Sequence, residues 1–546
     1  MKKSILSLSV AAALGGLCFA GPASAIAVFD RDGSTAEYLY PHPAGTGHML
    51  YTPYYTAQNG LGTTITIINT DRLNGKAVKV RFRNATNSDD VLDFTLLLSP
   101  GDVWSGAVTR GSDGYAQVSA PDDETSCTIP LKASGLWPGK FKALRLPSYL
   151  NDNQKAALTR EGYVEVLNMA DIPPGSNLFT AIKHVNGKAP CESGPGGLGI
   201  FSTLMSPEWY DAGDARAIGL DNPTGQLMGS WAVLNLSDLG VFSGAQTAII
   251  ASATNISGVS ASMSTAPANF AFAPQLEDDF LSAVSPFIPT TYGPRAGLDF
   301  TINHLTADPL LTNDVTGGNT LDPLWYDLPD MSTPLLNTAG MATIATTDPI
   351  DQAELISDAM AKTNVVNEYM ATKAGAAVPF NTDWVVSQPT RRYHAVMDYA
   401  GSYAAASIVQ RTASGGSSYY WDLNDNSMLS KEDHGYGPVA CVKLRFGSYD
   451  REEGVLSAFG GFSPGTVVPY CGEVFTAQFG TTSTLRAEIT ATSVNSLVAG
   501  DAGWAIVSTT AAGTAMPMVG YAAILFVNQV SNTTYNQTLP HRWLAP

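Results

Sequence analysis

Several groups of residues in this chain have the types and spacing that chemistry uses. Gly461-Phe462-Ser463-Pro464-Gly465 fits the G-x-S-x-G pattern of a hydrolase nucleophile elbow. That elbow needs the residue after the serine to donate its backbone N–H to an oxyanion, and Pro464 has no N–H, so a tight turn is the better reading. Gly194-Pro195-Gly196-Gly197-Leu198-Gly199 fits G-x-G-x-x-G, but Lys188-Ala189-Pro190-Cys191 precedes it where a dinucleotide site needs a buried strand. It reads as a Gly-rich loop beside a disulfide. Asp422, Asn424, Asn426 and Asp433 fall at positions one, three, five and twelve of a calcium-loop template. Closely spaced hard oxygens suit calcium, yet Ser427 stands in place of the turn glycine and Asp433 in place of the bidentate glutamate. A polar hairpin loop is the better account of them.

The histidines and paired carboxylates are less specific. His42 and His48 lie in a Pro-rich stretch with no Cys or carboxylate to complete a metal set. His394 and Asp398 share a face if they share a strand, but at about 13 Å apart neither polarises the other. Glu452 and Glu453 are adjacent, so a strand would point them to opposite faces. Glycosidase chemistry needs two carboxyls converging across a cleft, and nothing in the sequence selects such a pair. Trp325, Tyr326, Trp384, Tyr419, Tyr420 and Trp421 are the candidate aromatics for a sugar platform, and more often such residues are core.

The elements that must position these residues are mostly strands. Val78, Val80 and Phe82 alternate with Lys79, Arg81 and Arg83 after an Asn74-Gly75 turn, and Thr63 to Asn69 precedes that turn. Strict period two around Asn-Gly predicts a hairpin. Short strand-like runs continue at regular spacing to Ile250, with one short helix over Asn151–Glu161 and a strand after it. Nine prolines between Pro267 and Pro334 mark a different texture, an irregular cover. Asp348 as N-cap and Pro349 at the first helical position predict a helix in which Leu355, Ile356, Ala359, Met360, Val366, Tyr369 and Met370 recur up to about Thr372. The run Thr382 to Tyr399 then predicts one long strand carrying Trp384 as a core anchor and Arg391 and Arg392 as partners for carboxylates. Alternation would put Asp383, Arg391 and Tyr393 on one face and Trp384, Arg392, His394 and Asp398 on the other, unless Pro389 introduces a bulge.

Residues 1–25 have the charged start, apolar run and Ala23-Ser24-Ala25 site of a secretory signal peptide. No later run is long enough to be a transmembrane segment. Only 14% of residues are charged, with 30 basic against 48 acidic; losing Lys2 and Lys3 takes the net charge from −18 to −20. That balance disfavours nucleic acid and anionic lipid as partners. Four cysteines remain after cleavage, Cys127, Cys191, Cys441 and Cys471. They allow three disulfide connectivities, of which proximity favours Cys127–Cys191 and Cys441–Cys471.

Asn364-Val365-Val366-Asn367-Glu368-Tyr369, Thr382-Asp383-Trp384-Val385-Val386 and Pro389-Thr390-Arg391-Arg392 resemble a pattern in large secreted cell-surface proteins of Gram-negative bacteria. The resemblance implies no catalytic residues. The expected fold is all-β. A signal peptide (1–25) and an extended N-terminal arm (26–47) precede an immunoglobulin-like β-sandwich region (48–256). A Pro-rich irregular insertion (257–345) follows, then a helix and a second β-rich portion (346–546). The expected function is a secreted, non-catalytic structural or adhesive component of the outer surface or extracellular matrix, meeting other surface components, itself or polysaccharide. A carbohydrate-binding protein or secreted polysaccharide-active enzyme is the alternative, and a filament subunit assembling by strand addition the second. No cofactor is expected beyond calcium.

Overall fold

Val78, Val80 and Phe82 point to one side of the strand Gly75–Asn84, and there they meet Ile65, Ile67, Trp104 and Val108 of a second sheet. Period two thus builds a core between two layers. A computed structural model describes residues 34–36, 38–121, 124–129, 139–143, 146–194, 215–235, 240–252, 268–270, 349–372, 379–399, 402–410, 420–421, 429–452, 466–510, 515–528, 531 and 533–544. Over these residues the chain is all-β.

The first layer is a seven-stranded sheet in the order Cys127–Ile129, Asp90–Leu98, Gly75–Asn84, Glu161–Ile172, Met49–Thr56, Thr247–Ser252, Tyr38–Pro41. The second has six strands, with Leu61–Asn69 between Leu227–Asn235 and Val103–Arg110. An immunoglobulin domain holds seven to nine strands in all, so the likeness is one of layering. The hairpin expected across Asn74-Gly75 does not form. Leu61–Asn69 and Gly75–Asn84 belong to different sheets, and the turn carries the chain from one to the other. Side-chain bonding explains the departure: Asp71 Oδ1 accepts from the N–H groups of Leu73 and Asn74, while Asn69 Nδ2 donates to the carbonyls of Asn74 and Ser99.

A second pair of sheets follows in the C-terminal half. Asn364–Met370, Ala502–Thr509, Pro438–Asp450 and Leu429–Asp433 are consecutive neighbours in one five-stranded sheet, with Thr466–Cys471 also paired to Pro438–Asp450. Ala491–Ser493, Val474–Gln478, Phe380–Ser387, Val519–Asn528 and Thr533–Pro540 form the other. Trp384 lies fully buried between them against Phe479, with its Nε1 donating to the Glu368 carbonyl. The sheet edge at Asn364–Met370 is closed by the chain's own tail, since Val366 and Arg542 exchange backbone hydrogen bonds. His541 in that tail donates from Nε2 to the Val385 carbonyl and accepts at Nδ1 from Asn367, and burial lowers its pKa to about 4.

Three expected helix and strand boundaries are corrected. The first helix, α1, spans Asp152–Leu158 with Asn151 as its capping box, and Glu161 already begins the next strand. The helix after the Pro-rich segment ends at Met360, and Asn364–Met370 is a strand. Val365, Val366 and Tyr369 favour the pleated surface, and packing beside Ala502–Thr509 wins over the helical spacing. The long strand is also broken: Phe380–Ser387 stops before Pro389, Thr390 takes φ +81°, and Arg391–His394 forms one helical turn. The face assignment beyond Pro389 therefore fails.

We number the remaining helices α2 (Asn177–Ile182), α3 (Pro349–Met360) and α4 (Arg391–His394). Helix α2 packs Leu178, Ala181 and Ile182 beside Cys127, which bonds Cys191. Ser176 caps it, its Oγ accepting from the Phe179 N–H at 2.9 Å. Ser176→Ala should cost about 1 kcal/mol in urea unfolding, and a midpoint unchanged from wild type would show the cap idle.

Candidate functional site

The other face of Gly75–Asn84 carries Lys79, Arg81 and Arg83, and all three are buried. Beside them the strand Glu161–Ile172 presents Tyr163, Glu165 and Leu167 on that same side. Helix α3 covers the apolar end of this face, setting Ile356, Ala359 and Met360 against Leu39, Met49, Tyr51 and Leu167. Helix α4 covers the charged end. Tyr393 donates its hydroxyl to Glu165 Oε1 at 2.9 Å, and Arg83 Nε donates to Glu165 Oε2 at 2.7 Å.

The hairpin loop at 85–89 projects from this sheet into the C-terminal half. Asn84 Oδ1 fixes its shape by accepting from the N–H groups of Asn87 and Asp89. Arg391 then donates to the carbonyls of Thr86, Ala440 and Gly472, and pairs with Glu473 at 3.5 Å. Arg392 donates to the Asn87 carbonyl and to Asp89, each at 2.7 Å. Tyr163 donates to Glu473, whose own N–H bonds the Ala85 carbonyl. Burial raises the Glu473 carboxyl above the usual range, and Arg391 opposes that shift. The Arg pair thus has the carboxylate partners expected of it, drawn from both halves.

A second clasp lies at Glu161, again fully buried. Its Oε1 accepts from the N–H groups of Glu488 and Ile489 at 2.7 and 3.2 Å, and its Oε2 from the Thr490 N–H and Oγ1 at 3.1 and 2.8 Å. These charge-assisted bonds join a strand of the first half to a loop of the second.

The residues singled out from sequence are dispersed. Asp422, Asn424 and Asn426 lie outside the described residues, as do residues 461–465 and 195–199, Trp325, Tyr326 and Tyr419. Asp433 is exposed at the end of Leu429–Asp433, its Oδ1 accepting from the Gly435 N–H. Among the described residues no group of three or more His, Cys, Asp or Glu is placed to hold a metal. His42 bonds the Thr46 carbonyl through Nδ1, while His48 Nδ1 accepts from the Ala251 N–H. His394 bonds Ser357 Oγ at 2.7 Å, and its ring packs near Tyr420 and Trp421. Ser357 also donates to the Ala353 carbonyl one turn back, so the pair lies inside packed structure. Trp384, Tyr420 and Trp421 are core.

Exposed aromatics lie elsewhere, among them Tyr535, Trp543 and Trp504, and of these Trp504 belongs to a stacked pair. Trp504 is 40% exposed on the outer face of the five-stranded sheet that contains Ala502–Thr509. Across neighbouring strands it stands opposite Tyr449 on one side and Glu368 on the other. The Trp504 and Tyr449 rings stack with centroids 4.3 Å apart and planes at 11°. A cavity of about 470 Å³ opens at the same end of the sheet, lined in part by Met370, Asp450, Arg451, Glu452, Asp501 and Ala502. Period two puts Met370 on the face of Glu368, and Ala502 on the face of Trp504. Asp450 follows Tyr449 and so points to the opposite face, and neither ring lines the cavity; the stacked pair and the cavity share one end of the sheet. Sequence alone does not single out Trp504, because its strand is apolar on both faces: Trp504 and Ile506 on one, Ala505 and Val507 on the other.

The four cysteines form Cys127–Cys191 and Cys441–Cys471, and Cys441 sits directly opposite Cys471 in paired strands. Two disulfides are consistent with an oxidising, non-cytoplasmic compartment. No described helix is long and apolar enough to cross a membrane. No known protein-family model, curated protein or solved structure matches this chain.

Proposed function

We propose that the chain is a secreted structural or adhesive component of a bacterial outer surface or extracellular matrix. The observation that carries this reading is the joint between the halves. Glu161, Glu473, Arg391 and Arg392 all bond across it from buried positions. Buried charge-assisted bonds of this kind, together with the apolar cluster shared by the two halves, tie the four sheets into one body. A rigid β-body with two disulfides resists proteolysis and shear outside the cell. The sequence supports the same location through its signal-peptide pattern and its likeness to secreted surface proteins.

Cell fractionation with an antibody tests this. The protein is expected in the outer-surface or matrix fraction. Recovery only as free monomer in the medium overturns the reading.

A further inference from the structure

We propose that the row Glu368–Trp504–Tyr449 and the cavity at the same end of the sheet bind a neutral, β-linked glycan chain. The proposal deepens the adhesive reading by naming its partner, and it rests on that reading only for the glycan's source.

An equatorially substituted pyranose has a flat face of C–H groups carrying slight positive charge. An aromatic face carries the complementary negative charge of its quadrupole. Single exposed aromatics are ordinary on protein surfaces, but this is a stacked pair. Tyr449 holds Trp504 at 4.3 Å, so the indole is already ordered before a ligand arrives. The backbone favours the close placement: a Cβ at Gly503 would meet the Tyr449 carbonyl oxygen at 1.8 Å, so only glycine lets the strands approach there.

Hydroxyl groups supply the rest of the recognition. Glu368 lies in the same row as the rings, and Asp450, Glu452, Asp501 and Arg451 line the cavity. Carboxylates accept from sugar hydroxyls and the guanidinium donates to them. The cavity, at about 470 Å³, falls within the roughly 300–1,000 Å³ of small-molecule sites. Charge narrows the class. Four carboxylates against one guanidinium, in a chain of net charge −18, repel uronate and sulfated polymers. Neutral chains built of equatorial linkages remain.

Intrinsic tryptophan fluorescence and calorimetry on the full chain test the proposal. Probes are cellohexaose, laminarihexaose and N-acetylchitohexaose, with an alginate oligomer as the acidic control. At least one neutral probe should bind and change the fluorescence, and alginate should not. Trp504→Ala and Tyr449→Ala should each weaken binding about tenfold or more, and Glu368→Gln by a smaller factor. Trp504→Phe keeps an aromatic ring and should retain part of the affinity, so a fold defect in the alanine variants does not mask the result. Pull-down on insoluble cellulose, β-1,3-glucan and chitin separates surface polymers from free oligomers as the source.

The proposal fails if no neutral probe binds at millimolar concentration, or if Trp504→Ala, Tyr449→Ala and Trp504→Phe all keep wild-type affinity. A chain located in the surface fraction that binds none of these fails here alone. A chain that binds glycan yet leaves the cell as free monomer fails only in location.

Discussion

Glu161→Ala should destabilise the folded chain by about 3–5 kcal/mol, the largest loss expected from any single change at the joint. The side chain is fully buried and accepts four hydrogen bonds from three consecutive residues, Glu488, Ile489 and Thr490. Alanine removes every acceptor at once and leaves three backbone donors without their partner, those of Ile489 and Thr490 in buried residues. Burial raises the carboxyl above its usual range, and the same four donors oppose that shift. Glu161→Gln retains one acceptor oxygen but aims an amide N–H₂ at backbone donors, so it should recover only part of the loss. Urea unfolding of the two variants beside wild type measures the order. If Glu161→Ala unfolds at the wild-type midpoint, the halves are not joined here.

The same expectation distinguishes a joint from a mere contact. If the clasps at Glu161 and around Arg391 hold the two halves as one unit, wild type should unfold in a single transition. Glu161→Ala should then broaden that transition rather than split it, because each pair of sheets has its own apolar core, around Phe82 and Trp104 or around Trp384 and Phe479, while a third core sets Tyr54, Tyr163 and Trp231 against Val385, Val474 and Tyr521 across the joint.

Parts of this arrangement are legible in the sequence, and the reason is locality. Val78, Val80 and Phe82 announce a strand with one apolar face, because period two is a property of neighbouring residues. The Arg391–Arg392 pair announces carboxylate partners, because adjacent guanidinium groups among strand residues need them. Yet the identity of those partners is not local. Asp89 lies 303 positions before Arg392, and no spacing rule spans that separation. For the same reason Lys79, Arg81 and Arg83 read as a polar strand face, while the structure buries all three beneath elements remote in sequence. Burial of charge depends on what arrives to cover it. The hairpin at Asn74-Gly75 fails on a competing local signal, since Asn69 and Asp71 bond the turn into a crossover. The helix expected through Thr372 fails because Val365 and Tyr369 satisfy both helical spacing and alternation, and only the neighbouring strand decides between them.

Asp383 supplies the second large effect, and its sign is opposite to that of an ordinary paired carboxylate. Its Oδ2 accepts from Ser483 Oγ at 2.6 Å and from the Leu485 N–H at 2.8 Å, while Oδ1 has no hydrogen-bond partner among the described residues. Burial pushes its pKa to about 7 from the usual 3.8, despite those donors, and the nearby Tyr521 hydroxyl offers no positive charge. Between about pH 4 and pH 7 the folded chain therefore holds a proton that the unfolded chain has released. Stability from this group falls as pH rises through that window, by about 1.4 kcal/mol per unit and about 4 kcal/mol in all. Below the window the contribution is unchanged, and above about pH 7 the loss is complete. Asp383→Asn cannot ionise and should keep the bond from Leu485 through its amide oxygen. The variant should match wild type near pH 4 and exceed it increasingly up to about pH 7, with a constant gap beyond. Thermal melts at intervals from about pH 4 to about pH 8 give the comparison directly. Parallel curves for the two proteins would mean that Asp383 is ionised at its ordinary pH in the folded chain. A gap that opens on schedule would show that the second half of the molecule carries a neutral acid in its core at mildly acid pH, and is more stable there.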